Sequence, residues 1–201
     1  MPVAMVQETP VPTEPRYKRW TRRECEQLES MGLFEGQRYE LVEGNLIDKM
    51  GMNPPHMFYL MLTVGWLISV FGVRRVLHQM PIDVRPEDNP TSEPQPDACV
   101  LAAPVDKASL HRPGPADIAL VVEVADTTLA FDSGVKASLY ARAGVADYWI
   151  LDIPGRRVLV HRNPQAGVYE SVAAYSEHER VAPLAAPESA VSFSQIAEDA
   201  A

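Results

Sequence analysis

The sequence contains few cysteines, since Cys25 and Cys99 are the only two in 201 residues. Two cysteines cannot form the disulfide framework of a small secreted domain, and their spacing is not that of a zinc site. The first 18 residues are rich in proline and lack the apolar segment of a secretory signal. We therefore expect a cytoplasmic protein with a flexible N-terminal arm over residues 1–18.

Positive charge is also scarce. The chain has 18 lysines and arginines against 27 aspartates and glutamates, which gives a net charge of −9. This balance argues against sequence-independent binding of phosphate backbones by bulk electrostatics. A nucleic-acid function would therefore depend on a local site or a bound metal. With 46% hydrophobic residues, residues 19–201 are long enough for a single domain with one core.

One long segment lacks charge altogether. Residues 57–73, MFYLMLTVGWLISVFGV, are nearly as long as a minimal membrane span. The segment contains Thr63, Gly65 and Ser69 and is followed directly by a strand-like pattern. These features favour a helix buried in the core or in a homodimer interface, and we expect no membrane partner. A membrane-associated protein built on this segment is the competing interpretation.

The remaining patterns predict a mixed α/β (α+β) domain with a central sheet flanked by helices. TRRECEQLESMG begins with the capping-box pair Thr21 and Glu24, and YELVEGNLIDKM contains a turn composition between two short runs. The predicted order is a helix (21–32), a hairpin (39–50), the apolar helix, strands at 74–85, 97–102 and 117–125, a helix (132–143), and a hairpin (146–163). One or two further strands and a short helix at 192–199 complete the chain.

The strand DIALVVEVA carries a glutamate, Glu123, although both of its faces are otherwise apolar. An ionised carboxylate buried there costs several kcal/mol unless a basic side chain, backbone donors or a metal compensates it. An ion pair with an arginine is the simplest explanation.

A second carboxylate favours a metal instead. Asp97 follows Pro96 at the start of the preceding strand, so the two acids could meet on adjacent strands. Carboxylate oxygens are the ligands that magnesium takes. Alone, Asp97 would be typical of a turn or a helix cap. Either Glu40 or Glu43 could supply a third carboxylate from the hairpin.

The residues RYELVEGNLIDKM, QPDACVLA, DIALVVEVADTT and DSGVKASLYARAGVADYWILDIPGRRVLVHR resemble the Uma-two family of the PD-(D/E)XK nuclease superfamily. The resemblance runs from Tyr39 to Arg162 and is most specific from Asp132 to Asp152. It implies a restriction-endonuclease-like core in which Asp97 and Glu123 bind one or two magnesium ions. It also implies Glu40 as a helper acid.

The sequence departs from the superfamily's simplest motif, which places a lysine two residues after the glutamate, because Ala125 stands there. The resemblance implies a migrated lysine, and Lys136 in the following helix is the candidate. A solvated helix lysine is the alternative. Asp132 is predicted to cap this helix, and Tyr140 to lie on the same helix face as Lys136 and support its stem.

The resemblance implies a magnesium-dependent endonuclease acting on DNA, with manganese as the alternative metal. Asp97, Glu123 and the carbonyl of Val124 would hold the ion, and Lys136 would stabilise the attacking hydroxide. His56 could reach the site from the entry of the apolar helix, although a structural histidine is commoner there. A nuclease fold that serves as an inactive binding or assembly module is the alternative function.

Overall fold

The computed structural model describes residues 17–49, 53–106 and 111–198. Most of the predicted N-terminal arm, residues 1–16, lies outside this range. Helix α1, Arg22–Ser30, begins at Thr21, which forms the expected capping box with Glu24. A two-stranded antiparallel hairpin follows, formed by β1 (Tyr39–Val42) and β2 (Asn45–Asp48).

The central sheet has six strands in the sequential order β3 to β8. Strands β5 and β6 are parallel, and every other neighbouring pair is antiparallel. The parallel pair requires a crossover, which the helical segment after β5 provides. The strands are β3 (Val76–His78), β4 (Ala98–Leu101), β5 (Ile118–Ala125), β6 (Asp147–Asp152), β7 (Arg157–Gln165) and β8 (Val168–Tyr175).

Helices cover both faces of this sheet. On one face, α2 (Pro54–Phe71) and α5 (Phe193–Glu198) pack on Leu120, Trp149 and their neighbours. On the other, α4 (Ala137–Ala143) packs on Val121, Ile150 and the residues around them. The central strand β5 is consequently buried on both sides. The predicted mixed sheet flanked by helices is confirmed.

The apolar helix α2 is less buried than the sequence predicted. Leu60, Thr63 and Leu67 are buried, and they make up only 17% of the residues of the helix. It is the one helix in the described part of the chain that is long and apolar enough to cross a membrane. The expectation of a core helix therefore holds for one face, and Met57, Phe58 and Met61 are exposed on the other.

The helical segment after β5 differs from the prediction at its start. It begins with α3 (Leu129–Phe131), continues as a π-helical turn (Asp132–Lys136), and ends in α4. Asp132 therefore lies inside the segment and does not cap it. Its carboxylate accepts a hydrogen bond from the Thr128 hydroxyl at 2.6 Å. π-turns of this kind occur frequently at functional sites.

The strand predicted over 74–85 is also shorter than expected. Only Val76–His78 pairs in the sheet, because Gln79 adopts a positive φ of 49° and Pro81 cannot donate to a ladder. The residues after this strand still contribute to the core, since Ile82 and Val84 are buried.

Candidate active site

The two central carboxylates lie next to each other, one at the start of β4 and the other within β5, as the sequence predicted. Asp97 directly precedes β4, and the pairing of Ala98 with Val122 places it next to Glu123 of β5. Both side chains are buried, with 3% and 1% exposure. Each carboxylate must therefore find its partners inside the protein.

Glu123 receives two hydrogen bonds on a single oxygen. Lys136 Nζ and the Tyr140 hydroxyl each donate to Oε1 at 2.9 Å. Among the described residues, no donor forms a hydrogen bond with Oε2. Burial raises the pKa of Glu123 to about 8, and the charge of Asp97 adds to the increase while Lys136 opposes it. The carboxyl therefore retains a proton near neutral pH unless a further cation is bound.

Lys136 links the carboxylates from the π-turn. Its Nζ lies 2.9 Å from Glu40 Oε1 and 3.9 Å from Asp132 Oδ1, besides its contact with Glu123. Burial would lower the lysine pKa, but the charges of Glu123, Glu40 and Asp132 raise it overall. Its side chain is only 3% exposed, which rules out the solvated lysine considered from the sequence.

Asp97 shows the same asymmetry between its two oxygens. Its Oδ2 accepts the backbone N–H of Val124 at 2.9 Å and lies 3.1 Å from His56 Nε2. Its Oδ1 is buried with no hydrogen-bond partner in the described chain, and Lys49 Nζ is 3.7 Å away. Burial raises the pKa of Asp97, but the His56 bond and the Lys49 charge outweigh it and lower the pKa to about 2.

The hairpin brings Glu40 to this site and leaves Glu43 outside. Glu40 is 3% exposed, and its Oε2 accepts the backbone N–H of Gln95 at 2.9 Å. Glu43 occupies the turn at a φ of 48° and pairs with Arg142 at 2.7 Å. Glu40 is thus the hairpin carboxylate that contacts Lys136.

These groups line a cavity of about 290 Å³. Its wall carries six carboxylates against two lysines, so a cation is favoured there. The lining residues are Glu40, Ile47, Asp48, Lys49, Asn53, His56, Asp97, Glu123, Asp126, Thr127, Thr128, Phe131, Asp132 and Lys136.

The donor set fits a hard divalent cation. Within the described ranges, no three His, Cys, Asp or Glu side chains are grouped closely enough to hold a metal by themselves. Magnesium, however, commonly binds through one or two carboxylates and keeps several waters. The unpartnered Oδ1 of Asp97 and the Oε2 of Glu123 provide oxygens of that kind.

The contact of Lys49 with Asp97 was not expected from the sequence, and the roles of His56 and Tyr140 differ from the ones favoured there. Lys49 follows β2 without a recognisable motif, yet its Nζ lies 3.7 Å from Asp97 Oδ1. His56 was expected either to reach the site or, more commonly for its position, to be structural, and it does reach Asp97. Tyr140 was expected to support the Lys136 stem, but it binds Glu123 directly. The Asn-Pro-Pro-His entry of α2 was the available signal for His56, because it fixes the first helical turn.

Comparisons with known proteins agree with this architecture. A family model described as "Putative restriction endonuclease" matches residues 23–194. The crystal structure of a "putative nuclease belonging to DUF820" from Anabaena variabilis superposes with a TM-score of 0.60 at 17% identity. That match covers 79% of this chain and 88% of the other. No curated protein matches the sequence.

Proposed function

This chain belongs to the Uma2 family, and on that premise we propose that it is a magnesium-dependent endonuclease that hydrolyses phosphodiester bonds in DNA. Family and fold support a nuclease in general. The observation that carries the finer proposal is the buried pair Asp97 and Glu123, each with one oxygen that lacks a hydrogen-bond donor in the described chain.

The proposed ligands are Asp97 Oδ1 and Glu123 Oε2, with the Val124 carbonyl as a third. A bound magnesium or manganese ion would polarise the phosphodiester and lower the pKa of a coordinated water. Lys136, charged and fixed between Glu40 and Glu123, would stabilise negative charge next to the ion. Glu40 would hold the lysine in place, since it accepts from Gln95 on its other oxygen.

A plasmid-nicking assay tests the proposal. Wild type should nick supercoiled DNA in magnesium and lose this activity with a chelator. Asp97→Asn should abolish nicking, because the amide replaces a charged ligand at nearly constant shape. Glu43→Gln is the matched control, since it alters a hairpin carboxylate outside the cavity. Equal nicking by Asp97→Asn and wild type would contradict the site.

The second function, an inactive binding or assembly module, is supported by two observations. Ala125 replaces the motif lysine, and Lys136 is held by two carboxylates at 2.9 Å. Metal binding by wild type with no cleavage of any DNA or RNA form tested would favour this alternative.

We further infer a homodimer formed through α2. Its outer face exposes Met57, Phe58 and Met61, and the helix contains no charged residue. Two copies of a chain with net charge −9 repel each other least through an uncharged face. Two active sites would also serve the two strands of a duplex. A cytoplasmic location is supported by the two free, buried cysteines.

A further inference from the structure

We propose that Tyr140 and His56 are positioning residues that each hold one oxygen of a metal-binding carboxylate and turn the other toward the cation. This inference rests on the proposed function, because it treats Asp97 and Glu123 as ligands. Its primary measurement is metal affinity rather than cleavage, so the two claims can fail separately.

Tyr140 contacts Glu123 from α4, four residues after Lys136. The tyrosine is fully buried in α4, and its hydroxyl donates to the same Oε1 that accepts from Lys136. Rotation of the carboxylate would break both hydrogen bonds inside the core, which is costly. Glu123 is therefore held in one orientation, with Oε2 as its remaining oxygen.

His56 acts on Asp97 in the same way. Its Nε2 lies 3.1 Å from Oδ2, which also accepts the N–H of Val124. Because an ionised carboxylate only accepts, the histidine donates from Nε2. Oδ1 is then the oxygen left for the ion, as its lack of a hydrogen-bond partner among the described residues indicates.

The two arrangements are equivalent although the donors come from different elements. Each carboxylate accepts two hydrogen bonds on one oxygen. For Asp97 the donors are the backbone of Val124 in β5 and His56 in α2. For Glu123 they are Lys136 in the π-turn and Tyr140 in α4. Donors that orient ligands in this manner commonly contribute ten- to hundredfold to metal affinity.

The first test compares Tyr140→Phe with Tyr148→Phe by calorimetric titration of the full chain with Mn²⁺. Tyr148 is a matched control because it is equally buried and its hydroxyl donates at 3.0 Å to the backbone carbonyl of Asp132. Both variants lose one buried hydrogen bond. We expect Tyr140→Phe to weaken Mn²⁺ binding about tenfold and Tyr148→Phe to change it by less than about twofold.

The second test compares His56→Gln with His56→Leu. A glutamine amide can donate over a similar reach, whereas leucine has no donor. His56→Gln should retain most of the Mn²⁺ affinity that His56→Leu loses. A purely structural role for His56 predicts no such rescue.

The outcomes separate the two claims. Unchanged Mn²⁺ affinity in Tyr140→Phe and His56→Leu, with wild type still nicking DNA, would overturn the positioning inference and leave the nuclease proposal standing. Weakened affinity in both variants, with a wild type that binds Mn²⁺ but never cleaves, would support positioning and contradict the nuclease. If wild type binds no Mn²⁺, both claims fail.

Discussion

At the scale of single residues, two neighbouring buried carboxylates have opposite pKa shifts. The pKa of Glu123 is raised to about 8 and that of Asp97 is lowered to about 2. Burial raises the pKa of both groups, but for Asp97 the His56 hydrogen bond and the Lys49 charge outweigh it, whereas for Glu123 the charge of Asp97 adds to it. Opposed shifts of this kind are typical of functional sites.

The raised pKa predicts how stability depends on pH. Between about pH 4.5 and 8, the folded protein keeps a proton on Glu123 that the unfolded chain releases, so the free energy of unfolding falls as pH rises. The slope from this group is at most about 1.4 kcal/mol per pH unit. Urea unfolding of wild type and Glu123→Gln across this range should show the extra slope in wild type alone. Parallel curves would contradict the assignment.

The charge of Lys136 should matter for stability as well as for chemistry. Lys136→Met keeps the length of the side chain but leaves the buried Glu40 without its cation and removes a hydrogen-bond donor from Glu123. We expect a loss of about 3–5 kcal/mol in urea denaturation at neutral pH. Lys18→Met removes an exposed ion pair with Glu24 and should leave the unfolding midpoint nearly unchanged. Equal behaviour of the two variants would be inconsistent with a buried ion-pair network.

At the scale of elements, local patterns predicted the hairpin, the sheet strands and the capped α1, because turn composition, apolar runs and capping pairs act within a few residues. The π-turn at Asp132–Lys136 was not predictable in this way. Its position depends on Lys136 reaching Glu40 and Glu123, which are distant in sequence. The contact of His56 with Asp97 likewise exists only after α2 docks on the sheet.

The start of α2 should therefore affect the site more than the start of α1 does. Asn53 and Thr21 both accept a backbone N–H as N-caps, so alanine at either position should cost about 1 kcal/mol. Asn53→Ala also frees the helical turn that carries His56 and removes a hydrogen bond to Asp126. We expect plasmid nicking to fall in Asn53→Ala and to persist in Thr21→Ala. Equal nicking in both would show that α2 does not need its cap to serve the site.

At the scale of the whole molecule, charge and apolar surface are distributed unevenly. The chain carries a net charge of −9, the cavity wall is acidic, and α2 presents an uncharged outer face. Composition alone indicated that phosphate binding needs a local cation. It could not show which face of the apolar helix remains exposed, because that depends on the packing of Leu60 and Leu67 against the sheet.

The dimer inference is tested by a charge on that face. Met61 is 66% exposed, so Met61→Lys should fold normally yet shift the mass measured by light scattering from dimer to monomer. Val172→Lys is the control, because Val172 is 59% exposed on β8, the edge strand at the opposite end of the sheet from β3. A wild-type monomer, or wild type that needs detergent to stay in solution, would contradict the dimer.

The most direct test of the central claim is calorimetric titration of purified wild type and Glu123→Gln with Mg²⁺ and Mn²⁺. The account predicts that wild type binds both ions and that the glutamine variant, which has lost an ionisable ligand but little volume, binds neither measurably. Wild type that binds no divalent ion even with DNA present would contradict it, and Glu123 would then be a structural partner of Lys136 and Tyr140.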